Sequence, residues 1–348
     1  MNKAFPILLQ RARPRAFAAA LPFAAVLAGC DNVQWGGIQV SITKPTAERE
    51  FPKRSEATDT MPEPPPVALP TGPVVFHVRR LDPAGRATIE PVAELVGGEL
   101  VTVGADRIER SDEYAGRFNE RFYSPGVGYT LFRGGTRAGT FVVSAPIEGE
   151  ASVCPRLRAA GQIELIPRAN ALAEFLAWPP GVRVGRDSLS RPVFRSEMNE
   201  LAEVLVRRGV QQRAVAGEWR FGSAADLRPL AVGTGSRGFA ATFMIGDSLA
   251  EGPPADSAGM AFIVADYDPL RGYFPLYFDA AWYRPGEKRA LRWIDAVDLT
   301  GDARDEWLLR AHGDVLSWYE VIGRGDTAPT VVWSSRTPAC EAIELSSG

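Results

Sequence analysis

The chain has 348 residues, 39 basic and 42 acidic side chains for a net charge of −3, and 45% apolar residues. That length and apolar content exclude a disordered polypeptide and leave room for one large domain or two smaller ones with real cores. Residues 1–29 hold four of the basic residues and no acidic one, so the remainder stands at 35 against 42, a net −7 without any Lys/Arg block, which argues against a nucleic-acid partner. Only two histidines occur, His77 and His312, and their scarcity removes most zinc sites and most imidazole acid–base mechanisms.

The first element is a leader. Lys3, Arg11, Arg13 and Arg15 precede an apolar run over residues 16–27 that is too short to span a bilayer, the pattern of a secretory signal. It ends in Leu27-Ala28-Gly29-Cys30, which resembles the lipobox of bacterial prolipoproteins. The resemblance implies cleavage before Cys30, acylation of its sulfur and amine, and a partner in the lipid bilayer, since two or three acyl chains anchor where one binds reversibly. An ordinary secretory signal with a cysteine near its cleavage site is the alternative. Asp31 follows; in lipoproteins of enteric bacteria an aspartate there marks retention in the inner membrane, so an anchor facing the periplasm or exterior is expected, with the inner membrane favoured. In such an oxidising compartment the two remaining cysteines, Cys154 and Cys340, are expected to form a disulfide, the alternative being two separate buried thiols.

Residues 30–73 read as a lipidated tether, with prolines at 62, 64, 65, 66, 70 and 73 keeping it extended. From Val74 short β-type runs take over: 74–78, 87–92, 99–103, a hairpin 129–133/140–143 across Gly134-Gly135, and 162–166. Tyr114, Phe118 and Phe122 at helical spacing place one helix within 106–122. A clearer helix starts at Ser196, with Met198, Leu201, Ala202 and Leu205 on one face, Glu197, Glu200, Glu203 and Arg207 on the other, and Gly209 as its stop. Strands are expected at 219–221, 239–245, 260–265 and 273–278, then at 291–297, 306–311, 316–322 and 330–333. The last four carry Trp293, Trp307, Trp318 and Trp333 and form an antiparallel meander of the kind that builds propeller blades.

Three stretches carry candidate chemistry. Asp298-Leu299-Thr300-Gly301-Asp302-Ala303-Arg304-Asp305-Glu306 lies between two predicted strands and resembles the acidic loop of FG-GAP and VCBS-type repeats. That resemblance implies a structural calcium ion held by Asp298, Thr300, Asp302, the Arg304 carbonyl and Glu306; Thr300 and Ala303 depart from the pattern, and a metal-free β-turn is the alternative. Phe243-Met244-Ile245-Gly246-Asp247-Ser248-Leu249 resembles the first block of GDSL-type esterases, which would make Ser248 a nucleophile. Against it, Pro253-Pro254 follow where that family continues into a helix, no asparagine follows Asn199, and Leu309 stands three residues before His312, where an aspartate is required. Asp266 and Asp268 share a strand face without a visible partner, and the Gly233-x-Gly235 turn lacks the strand-to-helix setting of a phosphate loop.

The expected fold is mainly β and antiparallel, with a meander or propeller-blade-like C-terminal part and one or two surface helices, α+β being the variant. Residues 1–29 are expected to be the signal, 30–73 the tether, 74–190 a β-rich N-terminal domain and 191–348 a β-rich C-terminal domain. The expected function is a membrane-anchored, non-catalytic envelope lipoprotein that binds an envelope protein or glycan or has a structural role, with calcium as its one candidate cofactor. A GDSL-type esterase using Ser248 is the alternative.

Overall fold

A computed structural model describes residues 65–104, 110–148, 157–182, 196–230, 237–324, 328–338 and 340. Cys30, Asp31, Cys154, most of the tether and the Gly233-x-Gly235 turn lie outside these residues.

The first seven strands form one antiparallel sheet: β1 (Val74–Arg80), β2 (Arg86–Val96), β3 (Glu99–Val101), β4 (Gly128–Arg133), β5 (Thr136–Pro146), β6 (Ala159–Leu165) and β7 (Glu174–Trp178). Their order is β1-β7-β4-β5-β6-β2-β3, and β1 also pairs with β2, so six of them close into a barrel and β3 hangs on β2. Closure removes the free edges that an open sheet would expose. The lumen is filled by Phe76, Tyr129, Phe141 and Phe175, joined by Tyr114, Phe118 and Phe122 of helix α1 (Ser111–Phe122). Glycine at 161 makes this filling possible, because a Cβ there would stand 2.4 Å from the Phe141 ring. The end of the expected tether is pinned to this barrel: Val67 is buried and its N–H donates to Glu113 Oε1 at 3.1 Å.

Two four-stranded meanders follow: β8 (Asp226–Leu230), β9 (Gly238–Ile245), β10 (Ala258–Asp268), β11 (Gly272–Tyr283), then β12 (Ala290–Val297), β13 (Glu306–His312), β14 (Ser317–Gly323), β15 (Thr330–Ser334). Strand alternation explains how the layers stack. Helix α2 (Glu197–Gln212) sets Met198, Ala202, Leu205, Val206 and Val210 against Phe239, Phe243, Ala261 and Ile263 on one face of the first meander. The opposite parity, Ala240, Met260, Phe262 and Val264, meets Trp293, Trp307, Leu309 and Trp318 of the second meander. The far face of that meander, Ile294, Val297, Leu308 and Val321, rests on the outside of the barrel at Val75, Val92, Phe132, Leu176 and Trp178. The strands of β1 and β13 are therefore buried on both sides, and the described residues from 65 onward pack as one unit. No helix among the described residues is long and apolar enough to cross a membrane.

Mainly antiparallel β with two helices is the fold that the sequence predicts. Three local expectations differ from it. Residues 219–221 are irregular, and the strand lies at β8 instead, where Pro229 fits the outer edge of its sheet. Strand β7 is additional. Helix α2 runs past Gly209, because that glycine faces the Phe278 ring, 2.7 Å from where a Cβ would sit, and serves close packing rather than termination.

Candidate functional site

Barrel and second meander meet across a polar knot contributed by strands far apart in sequence. His77 on β1 is buried, with Nδ1 2.9 Å from the Tyr319 hydroxyl on β14. That hydroxyl donates to Glu90 Oε1 on β2, so His77 Nδ1 is the donor in its own bond with Tyr319. Arg310 on β13 also reaches Glu90 Oε1, at 2.5 Å. On the other side of the imidazole, Nε2 stands 3.7 Å from Glu174 Oε1 on β7, and Glu174 Oε2 accepts from Arg292 at 2.7 Å and Arg228 at 3.1 Å. Burial pushes both glutamates towards the protonated form. For Glu90 the Arg310 charge, His77 and the Tyr319 hydroxyl outweigh burial; for Glu174 His77, Arg292 and Arg228 do so. Both carboxyls are held below the ordinary glutamate range.

One side of the knot opens into a cleft of about 200 Å³ where β2, Leu157-Arg158, Glu251, Arg310, β14 and the Ser335–Thr337 segment converge. Arg310 and Arg336 lie over the rings of Tyr319 and Trp318, at 5.7 and 4.8 Å. His312, behind this region, has Nδ1 bonded to Ser317 Oγ at 2.9 Å, and burial, with the Arg310, Arg292 and Lys288 charges, lowers its pKa to about 3. It is a neutral imidazole at physiological pH.

The acidic loop joins β12 to β13. Asp298 Oδ1 accepts from the Gly301 N–H at 2.6 Å and Oδ2 from the Ala303 N–H at 2.9 Å. Asp302 Oδ1 accepts from the Arg304 N–H, and Glu306 takes the Leu299 N–H and the Thr300 hydroxyl. These oxygens are turned onto the loop's own donors, and among the described residues no three His, Cys, Asp or Glu side chains are grouped so as to hold a metal ion. Within the loop Ala303 stands at φ +64, in the left-handed region that favours glycine. An L-residue in that region is strained by about 1–2 kcal/mol, partly offset by glycine's greater unfolded-state freedom. Ala303→Gly should therefore raise stability by about 1 kcal/mol, read as a higher urea midpoint at unchanged slope; a lower midpoint would contradict the strain.

Ser248 is exposed in the turn after β9, and residues 249–257 are irregular rather than helical. Asp247 beside it faces inward: its Oδ2 accepts from Tyr283 at 2.8 Å and pairs with the fully buried ammonium of Lys288 at 2.9 Å. Asp266 accepts from the Tyr267 N–H, and Asp268 caps the turn at Leu270 and Arg271. Cys340 is buried. Of the predicted site residues whose partners are among the described residues, those of the acidic loop come together. Sequence reasoning missed Glu90, Glu174, Arg292 and Arg310, whose one signal is a charged side chain within a strand of otherwise apolar character.

Compared with protein-family models, with curated proteins and with solved structures, the chain matches none.

Proposed function

We propose that the chain is a lipid-anchored protein of the bacterial envelope, held to the membrane through Cys30 and acting as a non-catalytic binding or structural module. The observation that carries the non-catalytic reading is the pairing within the knot. His77, the histidine placed among several acids and bases, is buried, and the carboxylates flanking it are engaged by Tyr319, Arg310, Arg292 and Arg228. Catalysis by general acid or base needs a group that reaches substrate; these groups join the barrel to the second meander.

The anchor rests on the leader and on Leu27-Ala28-Gly29-Cys30, with Asp31 pointing to the inner membrane. A disulfide between Cys154 and Cys340 belongs to the same reading, because an exported chain folds where thiols oxidise. Calcium is not needed for it, since the acidic loop's carboxylates already have hydrogen-bond partners. The test is fractionation of a bacterial host expressing the full chain with radiolabelled palmitate. Wild type should be labelled and sediment with membranes, and Cys30→Ser should be unlabelled and soluble in the periplasmic fraction. Unlabelled, soluble wild type would remove the anchor.

A further inference from the structure

We infer that the cleft at the junction of barrel and second meander binds a small ligand carrying one oxyanion, a carboxylate or a phosphate, with Arg158 as its main cationic contact. The inference deepens the binding-module reading and rests on it.

The lining charges set the sign. Arg158, Arg310 and Arg336 face the cleft with Glu90 and Glu251, one cation in excess. Glu90 is held by Arg310 and Tyr319, Arg310 Nη2 lies 3.9 Å from Glu251, and Arg336 covers the Trp318 ring. Arg158, half-buried just before β6, has no side-chain hydrogen bond or ion pair to any described residue, and its Nε is buried without a partner. The Nε of Arg310 in the same lining is likewise buried and unpartnered. Buried polar groups are nearly always hydrogen-bonded, and a charge drawn out of water without a counter-ion is costlier still. The buried Nε atoms are closed to the cleft, so what marks a place for an acceptor there is the guanidinium of Arg158, which lines it without a partner among the described residues. A guanidinium presents parallel N–H groups that match the paired oxygens of a carboxylate or phosphate. The Thr337 hydroxyl and the apolar Val92, Val103 and Leu316 complete the lining, leaving room for a small organic body beside the anionic head.

The experiment is calorimetric titration of the full chain with inorganic phosphate, with glucuronate as a carboxylate on a sugar ring, and with glucose as the uncharged control. Saturable binding of phosphate, glucuronate or both, without binding of glucose, is expected, and which anion binds identifies the head group. Arg158→Ala should weaken binding by about tenfold or more, the loss of a charge-assisted contact, and Arg158→Lys should weaken it less. Neither variant should lower the melting temperature of the ligand-free protein, because among the described residues Arg158 holds no partner. The assignment is overturned if neither anion binds at millimolar concentration, if Arg158→Ala binds as wild type, or if Arg158→Ala melts well below wild type without ligand. Fractionation reports the anchor and titration reports the cleft, so either can fail alone.

Discussion

Asp247→Ala should cost about 3–5 kcal/mol of folding stability, the range for removing one partner of a buried ion pair. Lys288 Nζ is enclosed, with Asp247 Oδ2 at 2.9 Å and the Gly252 carbonyl at 2.9 Å as its polar contacts. The same aspartate accepts from the buried Tyr283 hydroxyl and from the Ser248 N–H. Without it an ammonium stays in the interior with one neutral acceptor, and the loop leaving β9 loses its cap. Replacing both members, Asp247→Ala with Lys288→Met, should recover most of the loss, because it is the unpaired charge rather than the missing pair that destabilises. Ser248→Ala, at an exposed turn position, should change stability by less than about 0.5 kcal/mol. Denaturant melts of the four proteins decide this. An Asp247→Ala loss under about 1 kcal/mol would mean that Lys288 finds water or another acceptor. The contrast also separates two meanings of Gly246-Asp247-Ser248. In a hydrolase the serine carries the motif's importance; in this fold the aspartate does, as the partner of a lysine 41 residues further on.

What could be read from sequence depended on how many faces of a strand are buried. The second meander was legible because turn residues punctuate it and each of its strands carries a tryptophan among apolar neighbours, a pattern that survives burial on both sides. Glu174-Phe175-Leu176-Ala177-Trp178 was not, since a glutamate followed by four apolar residues without alternation has no period to detect. The first meander was half-visible: β9 and β10 are long apolar runs, whereas Asp226-Leu227-Arg228-Pro229-Leu230 reads as a turn until β9 is placed beside it. The barrel was legible strand by strand and illegible as a closed ring, because closure depends on the pairing of β1 with both β2 and β7, nearly a hundred residues apart. The knot was hidden for a related reason. Glu90, Arg292 and Arg310 occupy polar positions within strands, and a sequence cannot distinguish a polar position facing solvent from one facing another layer. His77, inside an otherwise apolar strand, lies between layers, and its partners come from β2, β7 and β14.

Glu90→Gln should lower stability at neutral pH by about 3 kcal/mol, for it removes the carboxylate that answers a largely buried Arg310. The pH profile carries the sharper consequence. Burial alone would raise the Glu90 pKa, and the Arg310 charge, His77 and the Tyr319 hydroxyl reverse that and hold it well below its ordinary value of 4.5. A carboxyl more acidic in the folded than in the unfolded state contributes its full stability above the unfolded value and loses it as pH falls from there towards the folded one. Wild type should therefore lose stability steeply below about pH 4.5, with Glu174, also held low, adding to the slope. Asp295 and Glu306 act in the opposite sense, because burial raises both, so that acid favours their folded form. Those opposing groups are common to wild type and variant and drop out of the difference between them. The stability gap between wild type and Glu90→Gln should thus be constant from pH 7 down to about 5 and close progressively below it, measured by urea melts across the range. A gap that stays constant to pH 3 would place Glu90 outside the ionic knot and leave Arg310 to be compensated by Glu251, 3.9 Å away. If the gap closes, the ion pairs between barrel and meander are part of what acid unfolds, and the cleft beside them should lose its shape over the same pH interval.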